Sequence, residues 1–412
     1  MDIPYMAKGG AWTTVRFFIT TATSLAAMVA FGNLLPKETY GIYSYLMSLS
    51  GSLGFLTLAG IGTGIVRAVA RGQENVVPYS LKLQLRYNLL ATTAIAGIGF
   101  YYAYQGNFTF AVSLWILSAV MPVSTAYHSF ESIFIGQKRF DVLAMTTSIS
   151  AIIAAIAAVA ALLFTDNVVI LMSVYGFFSL VPSFLSYRYA SRFISDRSEP
   201  KSETISELRR TSFHLTYAGV IGTVAQYLDK LILFQIAGPA ALAVYGFAIA
   251  GPERLKALVK NVVSVILPRF AEENFEKASR FPLSRVFGSI GLGLAIAVAY
   301  ISLTPLIFRL LLPQYLDAIP YSQIYAIALA AIPLTIYVGN IFAGQNMLRA
   351  IYLHSISGYV TRIVLLIILG PLWQMWGIVI ASVTSYTLTA IYGVVILGVE
   401  KRRLRKKNEQ RI

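Results

Sequence analysis

Long apolar stretches separated by short polar notches run from one end of the chain to the other. A helix needs about 20 apolar residues to cross the hydrocarbon core of a bilayer. At that length the pattern predicts twelve helices, near 11–33, 42–66, 86–105, 108–127, 143–164, 167–187, 212–236, 240–266, 286–307, 319–343, 353–370 and 375–398. The longest polar pieces, around 188–211, 267–285 and the tail from Glu400, are too short for a soluble domain. The first apolar run begins near Ala11 and reads as a retained span, not a cleaved leader.

One notch recurs. "LLPKETYGIYSY" (34–45) and "IAGPAALAVYGF" (236–247) both place a proline a few residues before a Tyr, ahead of an even-numbered span. Tyr43 and Tyr245 stand about half the chain apart, so each half holds six helices entering from the same side. Repeats of that kind are related by an axis along the membrane normal, with the substrate site where the halves meet. The expected architecture is all-α and polytopic: one six-helix bundle in 1–195 and a second in 196–412 carrying a basic tail, joined by the stretch around 188–211.

Composition agrees with the pattern. The 412 residues are 57% hydrophobic and 12% charged, about half the charge that covers a soluble protein of this size. The net charge of +15 raises the possibility of nucleic acid, but its placement argues otherwise. With the N-terminus cytoplasmic, 28 of the 33 Lys and Arg fall on the inner side, including the tail "KRRLRKKNEQR". A nucleic-acid binder gathers its bases on one face. Here they are distributed over every inner connection, which predicts both termini in the cytoplasm, a multi-pass protein of the cell membrane, and anionic lipid headgroups as neighbours. The chain has no cysteine, and His128, His214 and His354 are far apart, so no metal site is expected.

Three longer segments carry a family resemblance. "LLPKETYGIYSYLMSLSGSLGFLTLAGIGTGIVRAVARG" (34–72), "ESIFIGQKRF" (131–140) and "QYLDKLILFQIAGPAALAVYGFAIAGPERLKALVKNVVSVILPRFAE" (226–272) resemble, in order and spacing, polysaccharide-transport proteins. The type is the O-antigen flippase of the multidrug/oligosaccharidyl-lipid/polysaccharide (MOP) exporter superfamily. The resemblance implies a MATE-like pair of bundles that moves a polyprenyl-diphosphate-linked oligosaccharide from the cytoplasmic to the outer leaflet for surface glycan synthesis, without ATP, with glycan-assembly proteins as candidate partners. Lipid II flippases of the superfamily carry two further helices that are missing from the twelve-span pattern.

Ionisable groups at bilayer depth cost about 2.5–3.5 kcal/mol each on insertion scales and normally face a cavity or a partner. Arg16, Asp229, Lys230 and Arg362 are the four. Along the seventh span the row His214, Ala218, Gly222, Gln226, Lys230 repeats at four-residue spacing and shares a face. His354, Gly358 and Arg362 repeat the theme in the eleventh. A diphosphate crossing hydrocarbon needs such cations, and the planar fork of arginine suits phosphate oxygens best. The expected headgroup site is therefore Arg16, Lys230 and Arg362, with Gln226 beside them and Arg254 at the inner mouth, in a cationic cavity between the bundles. Asp229 and His214 are candidates for proton or sodium coupling; no other cofactor is implied.

Catalysis finds no support: no nucleophile elbow, no phosphate-binding loop, and the acids Glu272, Glu273 and Glu276 interleave with bases as on a solvated helix. A cation-coupled multidrug antiporter of the same superfamily is the alternative, and a glycan polymerase or ligase the alternative from another class. The small-residue runs 151–164 and 288–300 predict close helix packing. Gly60, Gly62 and Gly64 predict either packing or a bend.

Overall fold

A computed structural model describes residues 3–194, 196, 198–264 and 283–409. The charged run 272–280 lies outside them. The described residues are almost wholly helical: α1 (Ile3–Leu34), α2 (Lys37–Ser52), α3 (Ile61–Ala70), α4 (Val76–Tyr104), α5 (Phe108–Tyr127), α6 (Phe130–Gly136), α7 (Phe140–Phe164), α8 (Val168–Ser191), α9 (Ser202–Ser264), α10 (Leu283–Leu311), α11 (Ile319–Ala326), α12 (Ile332–Gly344) and α13 (Leu348–Glu409). Among the described residues eight stretches are long and apolar enough to cross a membrane, or nine if the bent pair α2–α3 is one span. α9 and α13, each about 60 residues, break inside: α9 at Gly238 (φ 82°), α13 at Trp373 and Gln374. Both breaks fall where the hydropathy pattern separates two spans. Large apolar side chains such as Phe18, Phe100, Phe164 and Leu310 are exposed; on a multi-pass membrane protein that surface faces lipid.

The chain forms two compact units, Met1–Val224 and Ala225–Ile412. The division falls within α9, later than the expected 195/196, because the first turns of that helix pack against α3: Gly60 and Gly64 sit so close to Ser212, Leu215 and Leu208 that a Cβ on either would collide. In the first unit α1 lies along α7, α4 along α5, and α5 along α8. Its best-buried cluster joins Leu58, Ile65, Val76, Ile133, Phe134 and Leu208. In the second unit α10 packs on α11 and α12, and α12 on α13.

Two devices keep broken backbone satisfied, as a lipid surrounding demands. Between α2 and α3 the chain turns by 58°. The N–H of Leu58 there donates to Asn88 Oδ1 on α4 (3.2 Å), and the N–H of Gly60 donates to Thr216 Oγ1 on α9 (3.0 Å). Asn88 also donates to the carbonyl of Pro122 in α5 (2.6 Å). The second device is in α10, where Pro305 has no N–H for the carbonyl of Ile301; Gln323 Nε2 supplies one at 3.1 Å. The expected span 319–343 is not one helix but 3₁₀ and α pieces, consistent with prolines at 313, 320 and 333. Pro333 frees the carbonyl of Leu329, which rests against Gly293, where a Cβ would come within 2.5 Å of it.

The repeated notch marks a helix break in both places. Pro36 immediately precedes α2, and Pro239 follows Gly238. The paired tyrosines differ in burial: Tyr43 is half-buried against the rings of Phe31 and Tyr40, whereas Tyr245 is fully buried.

Candidate functional site

The second unit holds a chain of buried and half-buried polar side chains. Asp229, on the first half of α9, has a side chain only 2% exposed. Its Oδ2 accepts from Tyr245 OH at 2.7 Å and from Arg362 Nη2 at 3.0 Å, and its Oδ1 accepts from the backbone N–H of Lys230 at 2.8 Å. Arg362, on α13 and 14% exposed, reaches Tyr386 OH with Nη1 at 3.1 Å. Tyr386 OH also accepts from Lys256 Nζ (2.8 Å) and donates to Glu253 Oε1 (3.2 Å). Lys256 pairs with Glu253 Oε2 one helical turn away, and Tyr325 OH on α11 donates to Glu253 Oε1 at 2.6 Å. Two acids and two bases thus form one neutral network through Tyr386.

This placement alters the expected site. Arg362 is not a free cation awaiting phosphate, since Asp229 already holds one arm of its fork. Likewise Arg16 on α1 lies 3.7 Å from Glu131 of α6. The inventory of three intramembrane bases to one acid omitted Glu253, although it lies inside the eighth predicted span, and Glu131, which falls in the connection after the fourth. Lys230 is half-buried and forms no side-chain ion pair among the described residues.

The two polar rows also behave differently. On α9, His214, Ala218 and Gln226 are exposed while Gly222 and Lys230 are half-buried; the row is the more exposed side of its helix, whereas Asp229 is buried. On α13 the row faces the second half of the same helix. His354 meets Gly393, Gly358 meets Thr389, and Arg362 meets Tyr386. That seam is a packing face with a charged end, and His354 is buried in it. Arg254 is half-buried on α9. The structure brings Asp229 and Arg362 together within the second unit; Arg16 and His214 belong to the first. Among the described residues no group of three or more His, Asp or Glu could hold a metal ion.

Tyr325 and Tyr386 were missed. They are two of 25 tyrosines on spans with no polar periodicity, so nothing local marked them. Glu253 and Lys256 carried a weak signal, an acid and a base at i, i+3 within an apolar stretch.

Comparison with known proteins identifies the fold. No protein of curated function matches the sequence. Among solved structures, an inward-facing multidrug resistance MATE family transporter of the MOP superfamily aligns over 95% of this chain and 99% of its own (TM-score 0.68, 17% identity). An outward-facing structure described in the same words covers 98% and 96% (TM-score 0.66, 15% identity). The lipid II flippase MurJ, in an inward closed conformation, covers 95% and 87% (TM-score 0.62, 14% identity). At those identities the likeness is one of fold, and it is the fold that the sequence resemblance implied. The family model described as "Polysaccharide biosynthesis protein" matches residues 6–274 and 276–411. The chain is thus a multi-pass membrane protein with the fold of MOP-superfamily transporters, and it belongs to the polysaccharide biosynthesis protein family.

Proposed function

We propose that this protein moves a polyprenyl-diphosphate-linked oligosaccharide from the cytoplasmic to the outer leaflet of the cell membrane by alternating access, both termini lying in the cytoplasm. The observation that carries the reading is the family match along nearly the whole chain. A polysaccharide-biosynthesis protein with a transporter's fold meets a definite physical problem. It must carry a charged, sugar-bearing headgroup past hydrocarbon that the lipid anchor tolerates and the headgroup does not. A lipid II flippase stands among the structures of like fold, which supports this reading. In this reading Lys230 is the first cation to meet the diphosphate, because among the described residues it has no acid paired with it. Arg362 and Arg16 follow, each after release from its carboxylate, with Gln226 and Arg254 contacting the rest of the headgroup. Coupling to protons or sodium through Asp229 would require Arg362 to leave first, since the guanidinium already occupies the position of a bound cation.

Restoration of surface glycan in a flippase-deficient cell tests the reading. The wild-type chain is expected to restore export, and Lys230→Ala and Arg362→Ala are each expected to cut it at least about tenfold. Full export by both variants would remove these residues from the transport path. The multidrug transporters of like fold favour a second reading, cation-coupled drug antiport. It predicts resistance to cationic dyes on expression, with no restored glycan.

A further inference from the structure

We infer that the carboxylate of Glu253 fills a built oxyanion site, standing in for a phosphate group of the transported headgroup, and that it must leave before that group binds. The inference rests on the flippase reading above and adds to it a site and a guard.

The donor set points to an oxyanion. A single carboxylate receives the ammonium of Lys256 on one oxygen and the hydroxyls of Tyr325 (2.6 Å) and Tyr386 (3.2 Å) on the other. A guanidinium stands one hydrogen bond behind, through Tyr386. Lysine and two phenol hydroxyls converging on one oxyanion, with a guanidinium behind them, would hold a phosphate equally well, because carboxylate and phosphate present the same negative acceptor oxygens to charge-assisted donors. Arg362 Nε is buried with no hydrogen-bond partner, so one further donor in the cluster is unspent.

Accessibility distinguishes the two pairs. The side chains of Glu253 and Lys256 are 33% and 30% exposed, whereas those of Asp229 and Arg362 are 2% and 14% exposed. The outer pair is the one open to exchange first, and the inner pair parts only after it. Glu253 and Lys256 lie on the same helix, so rotation about the glutamate side chain alone releases the site without moving backbone.

Charge supplies the guard. With Glu253 in place the cluster is neutral and repels nothing, but it offers no net attraction to an entering anion. A neutral or cationic solute cannot displace the carboxylate; a phosphate can, and its arrival restores neutrality once Glu253 has swung away. The site would therefore select phosphate mono- or diesters, and the empty carrier would keep its cations compensated.

The test uses full-length protein in lipid nanodiscs, titrated with farnesyl diphosphate and, separately, with inorganic pyrophosphate. Glu253→Gln removes the competing charge and is expected to bind farnesyl diphosphate about tenfold more tightly than wild type. Adding Lys256→Gln to it is expected to abolish the gain. If E253Q does not fold, Glu253→Asp, which shortens the carboxylate's reach, is expected to tighten binding in the same direction by a smaller factor. A gain for farnesyl diphosphate alone assigns a lipid-borne headgroup, and an equal gain for pyrophosphate assigns the free anion; both support the site. Binding of farnesyl diphosphate to wild type with no gain in a folded Glu253 variant overturns this inference and leaves the flippase reading standing. Failure of every form to bind either diphosphate overturns both.

Discussion

Removing the carboxylate of Asp229 leaves the Arg362 guanidinium in a nearly solvent-free place with no negative partner in contact. Asp229 accepts three hydrogen bonds, from Arg362, Tyr245 and the N–H of Lys230, and its side chain is 2% exposed. Breaking a buried pair from one side typically costs about 3–5 kcal/mol, most of it the penalty of the stranded charge. Asp229→Ala is expected to lose that much. Arg362→Met strands the aspartate instead, but Tyr245 and the Lys230 N–H still donate to it, so its loss falls at the lower end, about 3 kcal/mol. In the double variant no charge is stranded; the main residual defect is the Tyr245 hydroxyl, an unsatisfied group worth about 1–3 kcal/mol. The double variant is therefore expected to be no less stable than Asp229→Ala alone, a coupling of about 2 kcal/mol or more, where independent sites add to within about 0.5. Equilibrium unfolding in mixed micelles titrated with SDS measures all four corners of the cycle. Additive losses would show that the two side chains do not compensate one another, and would remove the neutral network proposed for the second unit.

Other parts of the fold make separate predictions. Asn88→Ala orphans the N–H of Leu58 and removes the side-chain donor to the Pro122 carbonyl, and a loss of about 1–3 kcal/mol is expected in the same unfolding assay. Gly60→Ala drives a Cβ to 2.4 Å from the Ser212 carbonyl and should cost about 1–3 kcal/mol as α3 is pushed off α9. Gly97→Ala meets nothing within 4 Å; it should match or exceed wild type by up to about 1 kcal/mol, through helix propensity alone.

How far the sequence anticipates this molecule follows from what membrane burial makes local. Hydropathy and charge placement are properties of single segments, so most of the helices, the paired notches at Pro36 and Pro239 and the class of protein are legible, while the breaks inside the expected spans 42–66 and 319–343 are not. Gly60 and Gly64 were open to two readings, and each reading holds in part: the bend lies at Thr57–Gly60, and both glycines also pack against the start of α9. The polar network was only half legible. Arg362 and Asp229 stand out because charge in an apolar run is rare, but their mutual neutralisation depends on two helices 133 residues apart in sequence, which no local pattern encodes. Tyr386 shows the limit most plainly. Its hydroxyl joins both ion pairs, yet in sequence it is one aromatic residue in an apolar helix.

Reconstitution measures transport of the lipid-linked headgroup in isolation. Purified protein in proteoliposomes carrying a fluorescent polyprenyl-diphosphate-linked oligosaccharide should expose inner-leaflet headgroup to an external quencher, so that quenching proceeds beyond the roughly half reached in protein-free vesicles. The same vesicles with the Lys230→Ala and Arg362→Ala protein should remain near that protein-free level. Quenching by the wild-type protein no greater than in empty vesicles, under conditions where the protein is folded and oriented, would show that the protein does not flip this lipid.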